Sequence, residues 1–112
     1  MTHKIYKYIY KINKLIKNKN FSNTNKLSTY YSHLKRHNNM LGGNIINQKI
    51  VELEVLLDKI NKLPKFGIND ALEQKLKSGE QEFILYEKEV SRVMRDIMSY
   101  HGLNDEANKL FP

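Results

Sequence analysis

The sequence predicts an all-α chain: two longer helices and one short helix, preceded by a basic, largely unstructured N-terminal presequence. Three observations carry that expectation. Apolar residues recur at three- and four-residue spacing in the second half of the chain. Pro64, Gly67, Gly79 and Gly102 punctuate those runs. The charge is divided unevenly: the first fifty residues contain no Asp or Glu, and nine Lys with Arg36 give them +10. The remaining residues set nine Lys and Arg against twelve carboxylates, or −3, which sums to the net charge of +7.

The head is amphipathic. Ile5, Ile9, Ile12 and Ile16 follow helical spacing, with Tyr8 and Leu15 beside them. Lys4, Lys7, Lys11 and Lys14 follow the same period on another face. At 100° per residue the two sets separate, which predicts a basic amphipathic helix over residues 4–17. An acid-free helix of this kind suits an organelle import receptor or an anionic membrane surface. It is too short and too charged to span a bilayer, and its Lys residues interrupt any secretory h-region. The use of Lys and Asn rather than Arg departs from the usual import composition. The alternative is a basic helix that is retained and touches RNA or lipid. Residues 18–47 are rich in Asn, Ser, Thr and Tyr and poor in aliphatics, so they are expected to stay unordered. Processing is expected within residues 36–43.

In the body, Ile46, Ile50, Leu53, Leu57 and Ile60, with Leu56 and Leu63, predict a helix over residues 45–63. Its carboxylates come early and its Lys residues late, and Pro64 and Gly67 end it. A short helix is expected from Asn69 or Asp70, where Asp70 and Glu73 have capping-box spacing, to Ser78-Gly79. Ser78 and Gln81 repeat that spacing and open a third helix. Its apolar side is Phe83, Tyr86, Val90, Val93, Met94, Ile97 and Met98, and Gly102 closes it. The last ten residues read as a tail with Leu110-Phe111 as its apolar point. These stripes predict a small bundle or hairpin, or a surface laid along a larger assembly.

Length allows one domain at most. It divides into residues 1–39, an import peptide and flexible segment, and residues 40–112, a small helical domain. A remnant of that size is near the lower limit for an independent core. With no Cys it lacks a disulfide or thiolate metal site, so a partner is expected to support it.

No catalytic constellation emerges, and no cofactor is expected. His33 and His37 have the i, i+4 spacing of a metal pair without a nearby carboxylate. His3 and His101 are isolated. Gly42-Gly43 with Lys49 lacks the order of a phosphate loop. No Ser or Thr has a recognisable base beside it. Glu80, Glu82, Glu87 and Glu89 read as a solvated helix surface. Lys residues interleaved with Tyr6, Tyr8, Tyr10, Tyr30 and Tyr31 suit phosphate contact and stacking; with the head retained they point to an RNA-binding mitochondrial ribosomal protein, and with it cleaved the net acidic body removes that case.

Several short segments resemble coupling factor six, a helical subunit of the mitochondrial ATP synthase peripheral stalk. Val55-Leu56-Leu57-Asp58-Lys59-Ile60 is similar to that family's first-helix segment, in which Asp-Lys-Ile follows an apolar pair. Residues 79–83 are similar to its Gly-x-Glu-aromatic entry into the second long helix. Glu89-Val90, Met94 and Tyr100-x-Gly102 are similar to that helix's later part, and residues 108–112 to the Asn-x-Phe-Pro that follows. The resemblance covers residues 55–112 with insertions. The last helix here is about one turn longer, and the family continues beyond the position of Pro112 into an acidic, aromatic tail. It implies a non-catalytic subunit on the matrix side of the mitochondrial inner membrane, associated with the membrane through its complex. Leu53, Leu57, Ile60, Phe83, Val90, Val93 and Ile97 would face the stalk. Residues 79–98 are also similar to the last helix of the Leu-Tyr-Arg proteins, which assemble or decorate respiratory complexes. Their defining triplet belongs on the first helix, and the nearest analogue, Thr29-Tyr30-Tyr31, lacks Leu and Arg.

Overall fold

A computed structural model describes residues 2–17, 24–40, 47–62 and 70–112. The described chain is all-α. Its helices are α1 (Thr2–Lys17), α2 (Thr24–Met40), α3 (Asn47–Asn61), α4 (Asp70–Tyr100) and α5 (Asn104–Leu110). Helix α1 packs on α2 and α4, α2 touches α3, and α3 and α5 pack on α4. At 1.5 Å per residue, α4 is about 46 Å long, which sets the long dimension of a 49 × 26 × 21 Å molecule.

The head forms two helices: α1 matches the amphipathic helix expected over residues 4–17, and α2 corrects the expectation that the segment after it stays unordered. Ile5, Ile9 and Ile12 are 0% exposed and Ile16 is 1% exposed, because their stripe faces the interior. Helix α2 forms where too few aliphatics were expected to support order. Leu27, Tyr31 and Leu34 recur at i, i+4, i+7 and are all buried, with Asn38 continuing the line. One aromatic and one amide thus complete a stripe that aliphatics alone leave short. The Tyr31 hydroxyl reaches the Ile50 carbonyl at 3.0 Å and Glu54 Oε2 at 3.1 Å, fastening α2 to α3. Burial, and then the hydrogen bond to Glu54, push its pKa well above the ordinary tyrosine range.

Helix α3 buries Ile50, Leu53, Leu56, Leu57 and Ile60, as its periodicity predicts. Pro64 and Gly67, the expected terminators, lie outside the described residues. The expected break at Ser78-Gly79 is absent: α4 runs unbroken through both positions. A single Gly costs a helix about 1 kcal/mol, which a long packed helix tolerates. The side chains that would form the two capping boxes at Asp70/Glu73 and Ser78/Gln81 lie outside the description, apart from Gln81. Across the α3–α4 surface, Lys49 pairs with Asp96 at 3.3 Å, and Arg92 with Glu52 at 3.1 Å and Glu89 at 2.8 Å.

Gly102 ends α4 as expected. Its φ of +77° lets the Leu103 N–H donate to the Met98 carbonyl at 2.8 Å, and its own N–H to Ser99 at 3.1 Å. These are the two bonds of a Schellman motif. The motif turns the chain into α5, which replaces the expected tail. Ala107 and Phe111 are buried there. Arg95 clamps the end, donating to the Phe111 carbonyl at 3.0 Å and to Asn108 Oδ1 at 2.6 Å. His101, isolated in sequence, has its Nε2 2.7 Å from Asn38 Oδ1 and joins the α4 terminus to α2.

Candidate functional site

With the Ile stripe inward, α1 presents its polar residues. His3, Lys7, Tyr10, Lys14 and Lys17 are exposed along one side. Lys4, Tyr8, Lys11 and Leu15 are half-buried beside α2. Their spacing, i, i+4, i+7, i+11, makes a second ladder. It meets Tyr30, His33 and His37 of α2, which are half-buried at the same period. The two ladders close into a seam on the outer side of the α1–α2 hairpin.

Tyr8 is the centre of the seam. Its ring lies 4.9 Å from His33 and 5.7 Å from His37, nearly parallel to both at 17° and 12°. Tyr30 is tilted at 6.3 Å. The ammonium of Lys7 is 5.5 Å from the Tyr8 centroid; that of Lys11 is 5.7 Å from Tyr8 and 5.1 Å from Tyr30. Each such cation–π contact at a part-exposed site is worth about 0.5–1 kcal/mol. Neither helix contains a carboxylate, and the aromatic quadrupoles soften the repulsion among these cations. Arg36 is exposed on α2 and adds to the field. His37 responds to it: desolvation first, then Arg36, Lys4, His33 and His3, hold its pKa below the ordinary histidine value.

The sequence singles out the Lys ladder, and the structure places all four members, Lys4, Lys7, Lys11 and Lys14, on or beside this seam. Their Ile counterparts, Ile5, Ile9, Ile12 and Ile16, are buried in the folded chain. The seven residues expected to face a stalk, Leu53, Leu57, Ile60, Phe83, Val90, Val93 and Ile97, lie together in the core formed by the chain itself. Among the described residues of α3 and α4, the aliphatic side chains Val51, Val55, Ile84 and Leu85 are 49–58% exposed. The contribution of Tyr30, His33 and His37 as a facing ladder was not anticipated; their i, i+3, i+7 spacing carries the signal once α2 is known to be helical.

Hollows also lie elsewhere among the described residues. A groove of about 500 Å³ runs along α4 between Ile84 and Arg95, with Phe111 and Pro112 as its lip. A hollow of about 300 Å³ lies between Ser28 and Tyr31 of α2 and Glu54 and Asp58 of α3. Among the described residues no three His, Cys, Asp or Glu side chains gather as a metal site, and no helix is long and apolar enough to cross a membrane. Comparison with family models, curated proteins and solved structures finds no match.

Proposed function

We infer that this protein is a non-catalytic RNA-binding component of a mitochondrial particle, of ribosomal type, that uses the α1–α2 seam to hold phosphate. One observation carries the reading: a carboxylate-free row of Lys4, Lys7, Lys11 and Lys14 is fixed in place by an Ile stripe at most 1% exposed. Removing the head would strip Ile5, Ile9, Ile12, Ile16, Leu27, Tyr31 and Leu34 from the core. Retention is therefore the lower-energy arrangement, and a retained basic head favours polyanion contact. The amphipathic helix serves as an import address on the unfolded chain and as a core element after folding.

A second reading is a subunit or assembly factor of a mitochondrial inner-membrane complex. It is favoured by the exposed Val51, Val55, Ile84 and Leu85, which suit a protein partner. In its stalk form it rests on the local similarities to coupling factor six, with these four residues in place of the buried stripe. In its assembly-factor form it rests on the similarity of residues 79–98 to the last helix of the Leu-Tyr-Arg proteins.

The test is mild purification of the tagged full chain, followed by sequencing of its N-terminus and identification of its companions. Ribosomal proteins with rRNA, on protein that still contains α1, are expected. ATP synthase or respiratory-complex subunits without RNA would transfer support to the second reading. A cleaved head would defeat the RNA reading, and a stable monomer without companions would defeat both.

A further inference from the structure

We propose that the α1–α2 seam takes the phosphate backbone of paired RNA, and not the bases of an unpaired strand; the proposal rests on the RNA reading above. Proteins that read unpaired strands offer open aromatic faces on which bases stack. Here the rings are engaged with one another. Tyr8 shares its π-surface with His33 at 4.9 Å, His37 at 5.7 Å and the ammoniums of Lys7 and Lys11. Tyr30 holds Lys11 at 5.1 Å. Tyr10, the exposed ring of α1, is stacked on Tyr6 at 6.1 Å. A base entering this seam has to displace a stacked partner and gains little.

What remains on offer is a line of ammonium groups carried by an anchored helix. Lys4 to Lys14 spans about 15 Å along a helix whose far side is locked into the core. Arg36 stands across the seam on α2. Such a line suits a ligand whose phosphates are already in place. Paired RNA presents regular phosphate rows beside a wide, shallow minor groove, and is recognised mainly by shape and backbone. An unpaired strand has to be straightened to reach the same contacts, and that ordering opposes binding.

The full chain is titrated by fluorescence anisotropy against a mixed-sequence RNA duplex of roughly 20 base pairs, a shuffled duplex, and each separated strand. The duplexes are expected to bind equally, and about tenfold or more tighter than either strand, with affinity falling steeply with salt. Lys7→Glu combined with Lys14→Glu, both on the exposed side of α1, is expected to lower duplex affinity by about tenfold or more. Lys62→Ala, at the end of α3, is expected to leave it unchanged. Circular dichroism confirms that the double variant keeps its helix content. Separated strands binding as tightly as the duplex, or binding that changes with base sequence, would overturn the proposal while leaving the RNA reading intact. Absence of binding to every RNA at low salt would overturn both.

Discussion

Replacing Ile9 with Ala asks whether α1 belongs to the folded domain. Ile9 is 0% exposed, in the middle of a stripe that continues through Ile5, Ile12 and Ile16. The change removes three buried carbons, worth about 0.8 kcal/mol each in transfer, or roughly 2.4 kcal/mol. The cavity left between α1 and its neighbours adds to this, so about 3 kcal/mol is expected, within the range of about 2–5 kcal/mol for such truncations. That is a large share of a typical domain stability of about 5–15 kcal/mol. For a chain of this size it lowers the melting temperature by about 10–20 °C. The assay is thermal and urea unfolding of the full chain, followed by circular dichroism at 222 nm. Lys14→Ala, on the exposed side of the same helix, is the reference and should stay within about 0.5 kcal/mol of the parent. If Ile9→Ala melts together with Lys14→Ala, α1 is not packed as described, and the head returns to being a removable address.

Other outcomes follow from the joints between helices. Tyr31→Phe keeps the ring and loses the hydroxyl bonds to Ile50 and Glu54, at a cost of about 0.5–1.5 kcal/mol in urea unfolding. Because the folded Tyr31 pKa is raised, its protonated form stabilises the fold below the ordinary tyrosine pKa; that contribution disappears as pH rises beyond about 10. Tyr31→Phe should therefore flatten the alkaline end of the stability profile. His101 has the opposite sense. Burial lowers its pKa, so stability is full above the ordinary value of about 6.5 and declines as pH falls through the lower folded value. His101→Asn should reduce that acid-side slope in urea titrations from pH 7 to 5, and an unchanged slope refutes the assignment. Gly102→Ala meets no atom within 4 Å of the new Cβ, so its cost is backbone strain at φ +77°, about 1–2 kcal/mol by thermal melting. A peptide of residues 1–17 should bind anionic vesicles, whereas the folded chain should leave apolar dye-labelled acyl regions untouched, because its Ile face is covered.

The helices that sequence reveals most clearly are those whose stripes are aliphatic. Ile5 to Ile16 and Ile50 to Ile60 can be read directly, because four or five aliphatics at one period have few alternatives. Helix α2 is hidden because its inward line is Leu27, Tyr31, Leu34 and Asn38, and composition scores two of these as polar or surface-like. Its order depends on tertiary bonds, Tyr31 to α3 and Asn38 to His101, that no local window contains. The Ser78-Gly79 break fails for a related reason: propensity penalises the Gly by about 1 kcal/mol, and the packing of α4 outweighs it. Gly102 is legible because a left-handed terminus requires a residue without a Cβ penalty, a local demand that sequence states openly. The seam is half legible. Its Lys ladder stands out, but the facing Tyr30, His33 and His37 acquire meaning only when α2 brings them to Tyr8.

An amphipathic basic helix is ambiguous by construction. The same Ile stripe satisfies an import receptor, a lipid surface or a protein core, because all three respond to apolar area on one face. Folding breaks the tie by occupying that face. Once Ile5, Ile9, Ile12 and Ile16 are covered, α1 has only charge and ring edges left with which to bind. Any receptor that needs the apolar side must act on the unfolded chain, and a partner that binds the folded protein through α1 must be one that charge can hold. The division of charge along the sequence then has a spatial counterpart. Among the described residues, Glu52 of α3 and Asp96 of α4 hold those helices together through Arg92 and Lys49. The hairpin of α1 and α2 has no carboxylate of its own to neutralise it. A field of this kind destabilises the free protein slightly and is relieved by an anion. The cations over Tyr8 and Tyr30 offset part of that cost in the free state, which is why the rings belong to the stability of the seam before they belong to its specificity.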